Sequence, residues 1–181
     1  VNIITGFIAS APNGETITLG RGGSDYTASI IGAAMEVSEI EIWTDVDGVM
    51  SADPHKVKEA FPIESLSYEE AMEMSHFGAK VIYPPTMLPA MERGIPIRIM
   101  NTLNPGFKGS LIGKRNGDEM FEIKGISSID RIAVLLIQGS GMVGVTGISK
   151  RIFTALAQVD VNVVLISQAS SEHSVCIAVM P

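Results

Sequence analysis

Six consecutive residues, Gly20-Arg21-Gly22-Gly23-Ser24-Asp25, concentrate the groups best suited to hold a small charged ligand. They fall between a strand-like run and a helix-like run. The glycines allow a sharp turn and a close approach of backbone to ligand. Free N–H groups at the start of the following helix favour an anion. Arg21 adds a planar fork matched to a carboxylate or a phosphate. Asp25 adds an acceptor for an ammonium group or a metal-bound water. One cationic fork beside one carboxylate suits a zwitterionic amino acid. The same spacing is also compatible with an ordinary strand–helix turn bearing a solvated arginine.

A second string, Trp43-Thr44-Asp45-Val46-Asp47-Gly48, lies at the carboxyl end of a predicted strand, where open α/β sheets bind ligands. Asp45 and Asp47 flank a tight turn and can face a nucleotide or its Mg²⁺. A polar turn with an Asx hydrogen bond is the plainer alternative. In a third string, Phe77-Gly78-Ala79-Lys80, the lysine can reach phosphate oxygens as a point charge, or simply be solvated. A fourth, Gly139-Ser140-Gly141-Met142-Val143-Gly144, has the G-x-G-x-x-G form of a dinucleotide fingerprint. Two features oppose that meaning. The next strand ends Ile166-Ser167-Gln168, without the acidic residue a ribose would need. The chain then turns back as a further strand, giving β-α-β-β, the start of a ferredoxin-like fold. A Walker A loop is absent. His55, His76 and His173 show no metal-ligand spacing with one another or with Cys176, so no metal site is assigned.

These strings need elements to position them. Residues 1–9 and 16–19 read as short buried strands around Pro12-Asn13-Gly14. A helix is predicted over 26–36, with Ser24 or Asp25 as its N-cap. A strand covers 39–46. Ser67-Tyr68-Glu69-Glu70 has the form of a capping box and opens a helix to about His76. Thr86 is predicted to cap a third helix ending before Gly94, followed by a strand at 96–100. Alternation of strands and helices indicates an α/β fold, a mainly parallel sheet covered by helices on both faces. Gly, Pro, Asn and basic residues dominate 104–119 and apolar periodicity is lost, which places a domain boundary at about 117/118. Beyond it come a strand (132–137), a glycine-rich turn, a helix (about 144–158), and strands at 162–167 and 174–180.

Of the 181 residues, 46% are apolar and 18% charged, enough for a buried core and too ordered a composition for a disordered chain. The net charge is −7 and basic residues occur at most two in a row, which disfavours nucleic acid and anionic membranes as partners. One cysteine, Cys176, excludes a disulfide framework; a reducing compartment and a cytoplasmic location are expected. No run is long enough for a membrane helix, and no signal peptide is visible. Both ends look cut, so a piece of a longer protein is expected.

Taken together, the strings closely resemble the aspartate kinases of the amino-acid kinase family. The resemblance rests on residues 18–28, on Ile42-Trp43-Thr44-Asp45-Val46-Asp47-Gly48, on Ala52-Asp53-Pro54 and on Phe77-Gly78-Ala79-Lys80-Val81, in the family's order and spacing. The tail resembles an ACT domain, a small-ligand sensor. The run 163–174 looks most like the branch in which aspartate kinase is fused to homoserine dehydrogenase.

The resemblance implies transfer of the ATP γ-phosphate to the side-chain carboxylate of L-aspartate, the first step of lysine, threonine and methionine biosynthesis. The implied cofactors are ATP and Mg²⁺. Arg21, Ser24 and Asp25 would hold the substrate, with Arg21 and Asp25 closest to the chemistry. Thr44, Asp45, Asp53, Lys80 and Val81 would hold ATP. Gly141, Val143, Asn162 and Gln168 would hold an amino-acid effector, threonine rather than lysine. ACT units pair, which implies a homodimer or higher oligomer. The family's Lys-Phe-Gly-Gly-Thr-Ser string does not occur here, so these residues alone are expected not to turn over. Met50 and His55 stand where many relatives carry Tyr and Arg at the nucleotide, and only part of an ACT unit, 118–181, is present. An isolated binding module, or a kinase with another acceptor, remains the alternative.

Overall fold

A computed structural model describes residues 2–76, 81–114, 123–168 and 173–180. The chain forms two compact units, residues 1–128 and 129–181. The sequence places the boundary at 117/118. In the structure, residues 123–128 belong to the first unit and hydrogen-bond with the rest of it: Ile126 N–H donates to the Ser51 carbonyl at 2.8 Å.

The first unit opens with a two-stranded antiparallel hairpin, β1 (Ile8–Ser10) and β2 (Thr16–Thr18). These strands are shorter than predicted and largely exposed, not buried. Helix α1 (Gly23–Ala34) follows directly. Its N-cap is Gly22 at φ 68°, with no side-chain cap, so Ser24 and Asp25 lie inside the first turn rather than before it. A left-handed N-cap favours glycine, and the string supplies one. α1 packs closely on β3 (Ile40–Thr44): a Cβ on Gly32 would come within 2.7 Å of the Ile40 side chain.

The main sheet has four strands. They are β3, β4 (Ser65–Ser67), β5 (Ile97–Asn101) and β6 (Ser110–Gly113), in the order β3-β5-β6-β4. The β3–β5 and β4–β6 pairs are parallel and β5–β6 is antiparallel. The sheet is therefore mainly parallel but mixed. Strands β4 and β6 escape the sequence pattern, one hidden against a capping box and the other inside the polar stretch 104–119. Among the described residues β3 alternates, with Ile40 and Ile42 buried and Glu41 and Trp43 exposed, so one of its faces is open. Strand β5 is nearly all buried, and Ile97, Ile99 and Ile112 form the centre of the core.

The capping box forms as predicted. Ser67 N–H donates to Glu70 Oε2 at 2.7 Å, and Glu70 N–H donates to Ser67 Oγ at 3.1 Å, opening α2 (Tyr68–His76). Thr86 is not the predicted cap. It is buried inside a 3₁₀ turn (Pro84–Met87) that runs into α3 (Leu88–Arg93), and its hydroxyl donates to the Tyr83 carbonyl. Gly94 at φ 66° ends α3 as expected. Arg98 on β5 grips Glu39 with both arms of its fork, Nε to Oε1 at 2.7 Å and Nη2 to Oε2 at 2.8 Å.

The second unit contains β7 (Ala133–Gln138), α4 (Ile148–Gln158), β8 (Val163–Gln168) and β9 (Ser174–Val179). Its sheet order is β7-β9-β8, with β9 antiparallel to both neighbours. This is the split β-α-β of a ferredoxin-like unit, and it removes the dinucleotide alternative, which needs β7 beside β8. Val175, Ile177 and Val179 are buried against Ile152, Phe153 and Leu156 of the helix. The glycine string does not open the helix as predicted. It forms a 3₁₀ turn (Ser140–Met142), and α4 starts only after Gly147 at φ 86°.

Candidate functional site

The glycine-rich turn is held from below by its neighbours. Tyr26 N–H donates to the Gly22 carbonyl at 2.9 Å, and Thr27 Oγ1 donates to the Gly23 carbonyl at 2.9 Å. A Cβ on Gly22 would lie 2.8 Å from Tyr83 Cβ and 3.3 Å from Thr86 Cγ2. The turn thus touches residues 83–86. Arg21 and Ser24 are exposed, and neither forms an ion pair or side-chain hydrogen bond with a described residue. Asp25 is half-buried and equally unpartnered. Burial raises its carboxyl pKa above the usual 3.8, because the charged form is poorly solvated.

The sign of that shift makes a prediction. The native state holds the Asp25 proton more tightly than the unfolded chain, so its contribution is intact below the unfolded pKa and is lost as pH rises through the higher native one. Asp25→Asn should therefore leave stability unchanged in acid and raise it at neutral pH. Melting curves of both proteins across pH 3–7 check this; a neutral-pH loss in the variant would show that the carboxylate is a favourable partner instead.

A cavity of about 410 Å³ opens at the carboxyl end of β3. Thr44, Asp45, Asp53, Met50, His55 and Val81 line it, with Met74, Ile126, Ser127 and Ser128 among the rest. Thr44, Asp45, Asp53 and Val81 are thus brought together as the resemblance implies. Lys80 lies outside the described residues. Thr44 Oγ1 donates to Asp45 Oδ1 at 3.2 Å, and Asp53 Oδ1 accepts from His55 N–H at 2.9 Å. Met50 and His55 both reach the cavity. Asp47 does not. Its Oδ1 accepts from Asn101 Nδ2 at 2.8 Å and from Asn104 Nδ2 at 3.1 Å. It ties the turn after β3 to the end of β5 and the loop beyond it, a structural job that sequence spacing cannot distinguish from metal binding.

Among the described residues no cluster of three His, Cys, Asp or Glu side chains could hold a metal by itself. One cavity carboxylate, Asp45, fits Mg²⁺ brought in on phosphates, since that ion keeps most of its shell in water and phosphate oxygen. Val81 lines the cavity while Tyr83 and Thr86 abut the glycine turn, so one short segment borders both features.

In the second unit a groove of about 220 Å³ is lined by Met142, Thr146, Gly147, Ser149, Gln168 and Val175, among others. Of the effector residues expected from sequence, Gln168 lines it; Gly141, Val143 and Asn162 do not. Thr146 and Ser149 reach the groove because α4 begins later than the glycine string predicts. No helix among the described residues is long and apolar enough to cross a membrane.

Residues 1–101 match the profile of the amino acid kinase family, and residues 135–180 match an ACT domain. The chain belongs to the amino acid kinase family and carries an ACT domain behind the kinase part. It is similar to the chloroplastic bifunctional aspartokinase/homoserine dehydrogenase 1 of Zea mays, 50% identical over 98% of this chain and 20% of that protein. The Haemophilus influenzae bifunctional aspartokinase/homoserine dehydrogenase is 44% identical over 99% of this chain and 22% of its own length. The chain thus spans about a fifth of these curated relatives. Among solved structures, Escherichia coli aspartokinase III in complex with lysine and aspartate superposes with a TM-score of 0.73 at 34% identity, covering 96% of this chain and 38% of that one. The same enzyme in complex with aspartate and ADP gives 0.71 over 97% and 39%.

Proposed function

We propose that the first unit is the nucleotide- and aspartate-binding part of an aspartate kinase, and the second its amino-acid sensor. The observation that carries this is the shared border. Residues 81–86 line the cavity at one end and abut the Arg21–Asp25 turn at the other, as a kinase needs if phosphoryl donor and acceptor are to meet. In the reaction the γ-phosphorus of ATP forms a bond to a side-chain carboxylate oxygen of aspartate and its bond to the β,γ-bridging oxygen breaks. The products are ADP and 4-phospho-L-aspartate. No protein nucleophile is required; positioning and charge stabilisation do the work. Mg²⁺, when bound, screens the phosphate charge.

Arg21 offers its unengaged fork to a substrate carboxylate. Asp25, desolvated and unpartnered, suits the substrate ammonium group, whose arrival would lower its pKa again. Ser24 stands beside both. Thr44, Asp45, Asp53 and Val81 contact the nucleotide, with Lys80 placed next to Val81 by the chain. Domain assignments of 1–117 and 118–181 follow the same logic, with residues 123–128 returning to the kinase part. The sensor is proposed to take threonine in its Gln168 groove, in line with the similarity to bifunctional relatives; lysine, bound by the E. coli enzyme, is the competing effector. Pairing through the ACT region and a cytoplasmic location complete the proposal.

The test is ADP release by the intact protein with Mg-ATP and L-aspartate, with threonine or lysine added. Aspartate-dependent release that threonine suppresses is the expected result. Release driven by another acceptor, or none with aspartate, would overturn the substrate assignment.

A further inference from the structure

The sequence places residues 123–128 beyond the domain boundary, yet in the structure they are pinned to the rest of the first unit at several places. Lys124 Nζ donates to Glu70 Oε2 at 2.9 Å. Gly125 sits so close to its neighbours that an added Cβ would lie 2.6 Å from Met74 Cε and 3.0 Å from the Ser51 carbonyl oxygen. Ile126 N–H donates to that carbonyl at 2.8 Å. Lys56 Nζ donates to Ser128 Oγ at 3.0 Å. These ties hold the segment along residues 51–56, the stretch that carries Asp53.

Held there, Ile126, Ser127 and Ser128 line the cavity beside β3. Ile126 is 71% exposed. A branched aliphatic side chain on a hydrogen-bonded backbone, left at a cavity rather than turned into the core, is an apolar surface waiting for a partner. The cavity lining also contains Met50, Met74 and Val81, against the polar Thr44, Asp45 and Asp53. A nucleotide has the same division: a base with two apolar faces, and a strongly polar phosphate chain.

We propose that residues 125–128 form a wall of the nucleotide site and that Ile126 binds the face of the base. This rests on the reading of the cavity as the ATP site. The wall is supplied by the last residues of the first unit, immediately before the chain enters the second at Ile129. Gly125 sets how closely the wall approaches, since any side chain there meets the Ser51 carbonyl.

Two variants of the intact protein test it, each titrated calorimetrically with Mg-ADP and, separately, with Mg-pyrophosphate, which has phosphates and no base. Ile126→Ser should weaken Mg-ADP binding by about tenfold, from lost apolar burial, and leave pyrophosphate binding unchanged. Gly125→Val, which lifts the wall, should do the same. Melting curves verify folding, and Ile126 is exposed enough for its variant to fold. Unchanged Mg-ADP binding in Ile126→Ser overturns the wall while the nucleotide site stands. Equal loss for both probes also overturns it, since the segment would then act on the phosphates or on the fold. If the unsubstituted protein binds neither probe, the ATP-site reading fails and the wall with it.

Discussion

Alanine at Gly109 is expected to destabilise the first unit by about 4 kcal/mol or more, enough to remove most of the margin of a marginally stable fold. Three effects add. Gly109 has φ 68°, a conformation that costs a residue with a Cβ about 1 kcal/mol. The new Cβ would collide with the Ile99 carbonyl oxygen and lie 3.1 Å from Met100 Sδ. The carbonyl cannot give way, because Ile99 is fully buried and pairs with Ser110 across β5 and β6. Finally, Ser110 clamps the unit: its Oγ accepts from Val49 N–H at 2.8 Å and donates to the Ile63 carbonyl at 2.6 Å. Displacing it strands buried polar groups, each costing about 1–3 kcal/mol. The chain has one tryptophan, Trp43 on β3, so denaturant titration followed by its emission reports this unit selectively. Gly106→Ala is the control, with nothing within 4 Å of its Cβ and an expected change of about 0.5 kcal/mol or less. A loss below about 1 kcal/mol at Gly109 would mean that the β5–β6 turn yields more easily than its buried partners suggest.

That turn also shows where sequence patterns stop being informative. β3 and β5 carry alternating isoleucines, the three strands of the second unit carry apolar runs, and both patterns are plain. β6 is Ser110-Leu111-Ile112-Gly113, only two apolar residues between a clamp serine and a glycine, embedded in a stretch rich in Gly, Pro and Lys. Its strand character comes from pairing on both sides and from Ser110's hydrogen bonds, which are long-range facts. β4 fails for a related reason: Ser67 is both its last residue and the start of the capping box, so the helix signal masks the strand. Helix starts depart from the sequence pattern where a left-handed glycine, Gly22 or Gly147, replaces a side-chain cap. Residues 123–128 lie beyond the boundary drawn from composition, and only their bonds to Ser51, Lys56 and Glu70 tie them to the first unit.

The site divides along similar lines. Thr44 and Asp45 could be placed by their position at the end of a strand, whereas Asp53 and Val81 were implied only by the family resemblance; all four line the cavity. Asp47 looked equivalent to Asp45 and is not, because Asn101 and Asn104, more than fifty positions away, engage its carboxylate. Met74 and Ile126 could not be found at all. An apolar residue in a helix or a connector carries no chemical signal, and its role at the cavity depends on tertiary placement.

Arg21→Ala is expected to lower aspartate-dependent kcat/KM of the intact protein by about 10²–10³-fold while leaving its melting temperature unchanged. The two halves have one cause. The guanidinium is exposed and engages no described residue, so the fold loses nothing when it goes. A substrate carboxylate would lose two charge-assisted hydrogen bonds, worth about 1.5–3 kcal/mol each before non-additivity. Arg21→Lys keeps the charge but not the fork, so it should recover only part of the loss, about tenfold. The distribution between substrates is the decisive readout. If Arg21 holds aspartate, the KM for aspartate rises and the KM for ATP stays. A rise for ATP alone would move Arg21 to the phosphate side of the cavity. No change for either would make it the solvated arginine of an ordinary strand–helix turn, and the glycines around it would then be serving α1's entry and its contact with Tyr83 rather than a substrate.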